Sequence, residues 1–194
     1  FKFLKRLMLV HGRYCYRRNS KLIIYSFYKN IMLQLTQFFF IFFNGFSGTS
    51  LFDQYVLPFY NVLFTALPIL VMAVLDRDIS PEMAVKYPQL YSQGHRNYHF
   101  KVKVFMQWVG NVIFQSAVCF FIPALCMAFS SIYDVFDGHN GKVAMDLSFF
   151  GVTIHTAVLL VVTFKVCLET TWWTPINLII VITTAACWPL YAGG

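Results

Sequence analysis

Five long apolar runs separated by short polar stretches limit this chain more than any other feature. They cover about residues 22–44, 56–75, 104–129, 147–166 and 175–190. An α-helix of roughly 20 residues, rising 1.5 Å per residue, covers the ~30 Å of hydrocarbon in a bilayer. It also satisfies its own backbone polar groups there. The runs are too long for strands and do not alternate as the strands of a membrane barrel do. The expected fold class is therefore all-α integral membrane, with five transmembrane helices, the fifth being short. Composition agrees: 58% of the residues are hydrophobic and 12% are charged, the latter about half the share usual in soluble domains.

The polar segments sort by charge. Phe1–Lys21 carries seven Lys or Arg and no acid. Residues 45–55 carry Asp53 and no base, and residues 76–103 carry Arg77, Lys86, Arg96, Lys101 and Lys103. Residues 130–146 hold three acids and one lysine. Basic segments stay on the cytoplasmic side. The N-terminus and the 76–103 loop are thus expected in the cytoplasm, with the 45–55 and 130–146 loops on the other side. The net charge of +7 then reflects topology and calls for no nucleic acid. Residues 1–21 have apolar Phe3, Leu4, Leu7 and Met8 at helical spacing among bases. Such a helix either lies on an anionic leaflet or forms a stalk that carries the first span into the cytosol. We divide the chain into a cytosolic basic stalk helix, 1–21, and a partial transmembrane domain, 22–194. The first residue is Phe1, and the bases up to Lys21 are spread throughout rather than arranged as a secretory leader. A piece of a longer polypeptide is expected.

Every charged residue lies in a loop or at a span end except Lys29. An ammonium at a helix centre costs roughly 2.5–3.5 kcal/mol on insertion scales. Snorkelling toward the nearby surface offsets part of this. However, Asn30, Gln34 and Gln37 fall at i, i+4 and i+7 and draw a polar stripe along the helix, with Lys29 and Thr36 at its border. The stripe extends beyond snorkelling reach, so it is expected to face the bundle interior or a hydrated cavity, or to act as polar glue between helices. In the second span Asn61, Thr65 and Pro68 repeat the same spacing. Pro68 has no N–H to offer the Phe64 carbonyl and favours a kink. These two faces are the candidate walls of a transport path.

Other features read as structural. His155 is a proton relay or, more simply, a hydrogen-bonded packing residue, and Pro123 bends its helix. Trp172, Trp173 and Trp188 suit an interfacial aromatic belt. The five cysteines (Cys15, Cys119, Cys126, Cys167 and Cys187) show no C-x-x-C spacing and read as small packing residues, neither a disulfide framework nor a metal site. No nucleotide-binding or hydrolase motif is present.

Several strings converge on one family. "FKFLKRLMLVHGRYCYRR" followed by "SKLIIYSFYKN" resembles the stalk and fifth membrane helix of the type IV P-type ATPases, the phospholipid flippases. "FFNGFSGTSLFDQY" resembles their next exoplasmic loop, and "YNVLFTALPIL" their sixth helix. "DRDIS" and "YPQLYSQGH" resemble the cytosolic loop that follows. The resemblance is dense to about His95 and looser beyond it. It implies that the five spans correspond to the fifth to ninth of ten. It also implies a parent that couples ATP hydrolysis, through an aspartyl-phosphate, to moving phospholipid from the exoplasmic to the cytoplasmic leaflet. By the same resemblance Lys29 matters for transport and its coupling to dephosphorylation, and Asn30 belongs to that motif. ATP and Mg2+ are implied for the parent and no cofactor for this piece, which has no D-K-T-G. The implied setting is a plasma, Golgi or endosomal membrane. The implied partners are phospholipid and a two-span accessory glycoprotein that meets the non-cytoplasmic loops, especially 130–146. The alternative is a non-catalytic helical membrane scaffold that keeps the bundle without the engine.

Overall fold

The computed structural model describes residues 4–52, 54–91, 94, 100–136 and 147–192. Phe3, Asp53 and Arg96, named above, lie outside these, as does most of the 130–146 loop. Every regular element among the described residues is helical. Helix α1 runs without interruption over residues 4–43, α-helical in Leu4–Arg6, π-helical in Leu7–Gly12 and α-helical again in Arg13–Phe43. It is followed by α2 (Val56–Leu75), α3 (Pro81–Lys86), α4 (Val102–Phe136), α5 (Leu147–Glu169) and α6 (Pro175–Ala192).

Among the described residues three helices are long and apolar enough to cross a membrane: Val56–Leu75, Val102–Phe129 and Leu147–Glu169. Pro175–Trp188 is a shorter apolar helix. The run at 22–44 is not among the three, because Lys29, Asn30, Gln34 and Gln37 dilute its apolar character. Helix α4 continues through Pro123.

The helices pack through periodic faces. On α5, Ile154, Val158, Val162 and Val166 recur every four residues and are all buried. They meet Tyr25, Tyr28, Met32 and Phe40 of α1, Tyr60, Phe64 and Met72 of α2, and Val112 and Phe120 of α4 in one core. Large apolar side chains on the outer faces, such as Phe42, Phe114, Phe129 and Leu160, stay exposed. That is a stable arrangement in lipid, where helix association rests on close packing and interhelical hydrogen bonds rather than on escape from water. Trp188 departs from the aromatic-belt expectation. It is buried because its face of α6 turns inward, where its indole Nε1 donates to Thr156 Oγ1 at 2.7 Å. Trp172 and Trp173 are exposed.

The chain reverses after α1 through a C-terminal cap. Gly45 takes φ 57° and Phe46 φ 60°, and the Phe46 N–H returns to the Ile41 carbonyl at 3.3 Å. That bond satisfies a terminal carbonyl of the helix, which explains the glycine after Asn44. Beyond it, Leu51 is held from both sides. Its N–H donates to Gln37 Oε1 at 3.1 Å, and its carbonyl lies so close to Gly151 that a Cβ added there would sit 2.3 Å from the oxygen.

At the opposite end, the basic face of α1 grips two loops. Arg13 donates to both carboxylate oxygens of Asp78, at 3.1 and 2.6 Å, and Arg17 pairs with the same group. Burial pushes the Asp78 carboxyl up. The Arg13 hydrogen bond and the charges of Arg17 and Arg13 outweigh that and hold it below its ordinary value. Asp76 is buried and accepts the N–H groups of Thr171 at 2.9 Å and Trp172 at 3.0 Å. Lys21 stands 3.5 Å from Asp76 and 3.9 Å from Glu169, while Arg18 donates to the Asp76 carbonyl at 2.6 Å. Ser80 and Pro81 then start α3 as N-cap and first helical residue. Ala84 of α3 packs on Val10 and Tyr14.

Candidate functional site

Helix α2 is not regular where it faces α1. Residues Tyr60–Phe64 are π-helical, and Thr65 (φ −117°, ψ −23°) separates them from α-helical Ala66–Leu75. The cause is one turn further on. Pro68 offers no N–H to the Phe64 carbonyl, and the helix absorbs this by inserting a residue upstream. The Thr65 N–H accordingly reaches back five residues to the Tyr60 carbonyl at 3.1 Å, not four to Asn61. Thr65 Oγ1 donates to the same carbonyl at 2.6 Å.

Lys29 fills the position this leaves. Its Nζ donates to Thr65 Oγ1 at 2.8 Å and to the Asn61 carbonyl at 3.4 Å. Two of the three ammonium donors are thus used. Tyr60 completes the contact: its phenol donates to the Lys29 carbonyl at 3.0 Å. Lys29 is 8% exposed and turns toward α2 rather than out along its own helix. No carboxylate pairs with it among the described residues. A buried, hydrogen-bonded cation thus stands at the contact of two helices without a counter-charge, a costly arrangement that marks function more often than stability.

The polar stripe divides around this contact. Asn30 and Gln34 are exposed and Gln37 is half-buried. With Ile31, Leu35 and Phe38 they line an open groove of about 490 Å³ along α1. The stripe therefore does not face the packed interior of the described bundle but lies on its outer surface. Gln37 has a second duty in holding Leu51. Thr36 is fully buried and bonds back to the carbonyls of Met32 and Leu33 at 3.2 and 2.7 Å. On α2, Thr65 and Pro68 are buried, while the Asn61 side chain is exposed and Nδ2 donates to the Leu57 carbonyl at 3.4 Å. The structure thus brings Lys29, Asn61 and Thr65 together and leaves Asn30 and Gln34 outside that contact.

Sequence reasoning missed Tyr60 and the phenol of Tyr28, which donates to Gln115 of α4. A tyrosine deep in an apolar run is itself a signal, since its buried hydroxyl requires a partner. It also missed the Asp76 cluster, whose sign was legible as acids opposite the bases of 13–21. Among the described residues no three His, Cys, Asp or Glu side chains converge as a metal site.

Comparison with known proteins places the chain. The family model "Phospholipid-translocating P-type ATPase C-terminal" matches residues 1–193. The chain is similar to the probable phospholipid-transporting ATPase IM of Homo sapiens, 40% identical over 177 residues, which cover 91% of this chain and 14% of that protein. It is similar to the phospholipid-transporting ATPase ID of Homo sapiens at 39% over 180 residues, again 91% of this chain and 14% of the relative. It is also similar to the phospholipid-transporting ATPase DRS2 of Saccharomyces cerevisiae at 38% over 196 residues, 99% of this chain and 14% of that protein. The chain thus spans about one-seventh of the length of these relatives. Together with the long apolar helices, this makes it a multi-pass integral membrane protein that belongs to the phospholipid-translocating P-type ATPases and corresponds to their C-terminal membrane part.

Proposed function

We propose that this chain is part of the membrane domain of an ATP-driven flippase that moves phospholipid from the exoplasmic to the cytoplasmic leaflet. It contributes five spans, the fifth to ninth of ten, with α1 entering from the cytoplasm and residues 1–21 acting as its stalk. Lys29 and Asn30 serve transport and its coupling to the ATPase cycle. Gln34, Gln37, Asn61, Thr65 and Pro68 form the polar wall beside them. ATP and Mg2+ act elsewhere in the parent, since this chain has no D-K-T-G. A two-span accessory glycoprotein meets the loops on the exoplasmic side.

The observation that carries this reading is the Lys29 contact. A cation with no carboxylate partner among the described residues, held by a hydroxyl and a backbone carbonyl of a bulged helix, adjoins an amide-lined groove. A structural ion would be paired with a carboxylate; an ammonium held by neutral oxygens is suited to an anionic phosphodiester or to sensing a helix shift. The alternation of helix direction supports the sidedness: the 76–80 loop and the 171–172 turn meet the basic end of α1, while the 51–52 loop meets the start of α5 at the other end.

The test is Lys29→Ala in the full-length parent. Lipid-stimulated ATPase activity should fall by roughly tenfold or more, equivalent to losing ~1.4 kcal/mol of transition-state stabilisation, with expression and thermal midpoint preserved. Unchanged activity and lipid affinity would remove Lys29 from the mechanism.

A further inference from the structure

We infer that His155 of α5 and Trp188 of α6 are positioning residues: their rings form a plate that sets the register of the bulged turn of α2, so that Thr65 Oγ1 and the Asn61 carbonyl meet Lys29. This rests on the transport reading of Lys29 given above. The two ends of the bulge each place a ring on the plate. Tyr60 stands on His155 with centroids 5.6 Å apart at 75°, and Phe64 stands on Trp188 at 5.7 Å and 88°. The plate is a stacked pair, its two rings 4.3 Å apart and tilted by 40° to each other, and Phe52 closes a further side of the imidazole at 5.6 Å. The plate is fixed to α5, because the Trp188 indole donates to Thr156 Oγ1 at 2.7 Å and that hydroxyl donates to the Val152 carbonyl at 2.7 Å.

A π-helical turn holds one residue more than an α-turn, so it can slide by one position. Such a step rotates a side chain by about 100° and would carry Thr65 away from Lys29. Something outside α2 must select the register, and edge-to-face ring contacts, which have defined geometry, are suited to that. His155 is 1% exposed, and neither ring nitrogen has a hydrogen-bond partner among the described residues. It acts here through its flat ring, whose contacts are with Tyr60, Phe52 and Trp188.

The experiment is a double-mutant cycle in the full-length parent. ATPase activity is measured in detergent micelles containing phosphatidylserine, phosphatidylethanolamine and phosphatidylcholine in turn. His155→Phe keeps the plate and should stay within about twofold of wild type, whereas His155→Gln should lower kcat by about fivefold without a matching change in half-saturating lipid. In a Thr65→Val background His155→Gln should add less than about twofold, because the contact is already lost. Thr156→Val releases the indole without touching the imidazole, and should give a loss of about twofold that likewise vanishes in that background. Independent, multiplying effects would overturn the plate, as would a folded His155→Phe that falls as far as His155→Gln. The same cycle read on thermal midpoints should show non-additive shifts. Additive shifts there also overturn the plate, even if Lys29→Ala and Thr65→Val leave activity intact and so defeat the transport reading alone.

Discussion

Lys29 and Gly151 show two ways in which one residue governs a helix contact. Lys29 supplies a charge that only a reshaped neighbour can accommodate. Gly151 supplies an absence: the Leu51 carbonyl occupies the space a side chain would need. A methyl group at Gly151 meets backbone on a buried loop and cannot be relieved by a side-chain rotation. Gly151→Ala should therefore destabilise the full-length protein by about 1–3 kcal/mol, seen as a lower thermal midpoint in detergent. An unchanged midpoint would mean that the 51–52 loop is free to shift. Lys29 was legible as the single charge inside a span, and Thr65 as one of a polar row. That the two are partners was not legible, because facing rows on two helices do not state their relative rotation or height.

The irregular element is α2, and its bulge follows from Pro68. A proline in a helix frees the carbonyl four residues earlier, and here the distortion occupies Tyr60–Thr65, the turn leading to that position. Restoring a donor with Pro68→Ala should raise the thermal midpoint of the full-length protein, by an amount corresponding to roughly 1–3 kcal/mol. It should also lower lipid-stimulated ATPase activity, since a regular helix draws the Thr65 N–H back toward the Asn61 carbonyl and displaces Lys29. Gains in both stability and activity would show that the bulge has no role in the cycle. Proline and the kink it favours were readable in the sequence. The π geometry was not, because the extra residue could be absorbed at several places, and packing against His155 and Trp188 selects one.

Across the molecule, the basic face of α1 ties three segments into one body. Arg13 and Arg17 hold Asp78, while Lys21 and Arg18 hold Asp76, which in turn holds the turn between α5 and α6. Any movement of the first helix is thus passed to the 76–80 loop and the 171–172 turn. The Asp78 carboxyl titrates below its ordinary value in the folded state. Its ionised form is favoured by folding, so its contribution is complete above the unfolded value near 3.9. That contribution fades as the pH falls through the lower folded value. Asp78→Asn should cost about 3 kcal/mol at pH 7 by stranding two guanidinium groups. Its thermal midpoint should approach that of wild type below about pH 4. A gap that stays constant with pH would show that Asp78 is held by shape and not by charge.

Residue order alone determined the helices, their approximate limits, the sorting of charge between their ends and the presence of one misplaced ammonium. These depend on local quantities: run length against bilayer thickness, helical periodicity and the missing N–H of proline. It did not determine which polar residues meet. Asn30, Gln34 and Gln37 share a stripe with Lys29, yet packing turns Lys29 into the contact with α2 and leaves Asn30 and Gln34 on an open groove. Trp188 looks interfacial along the chain and is a core plate in space. The difference has one physical origin: adjacent residues on a helix point about 100° apart. A side chain's partner is therefore set by how neighbouring helices are rotated and raised, and that emerges only when all their faces pack at once.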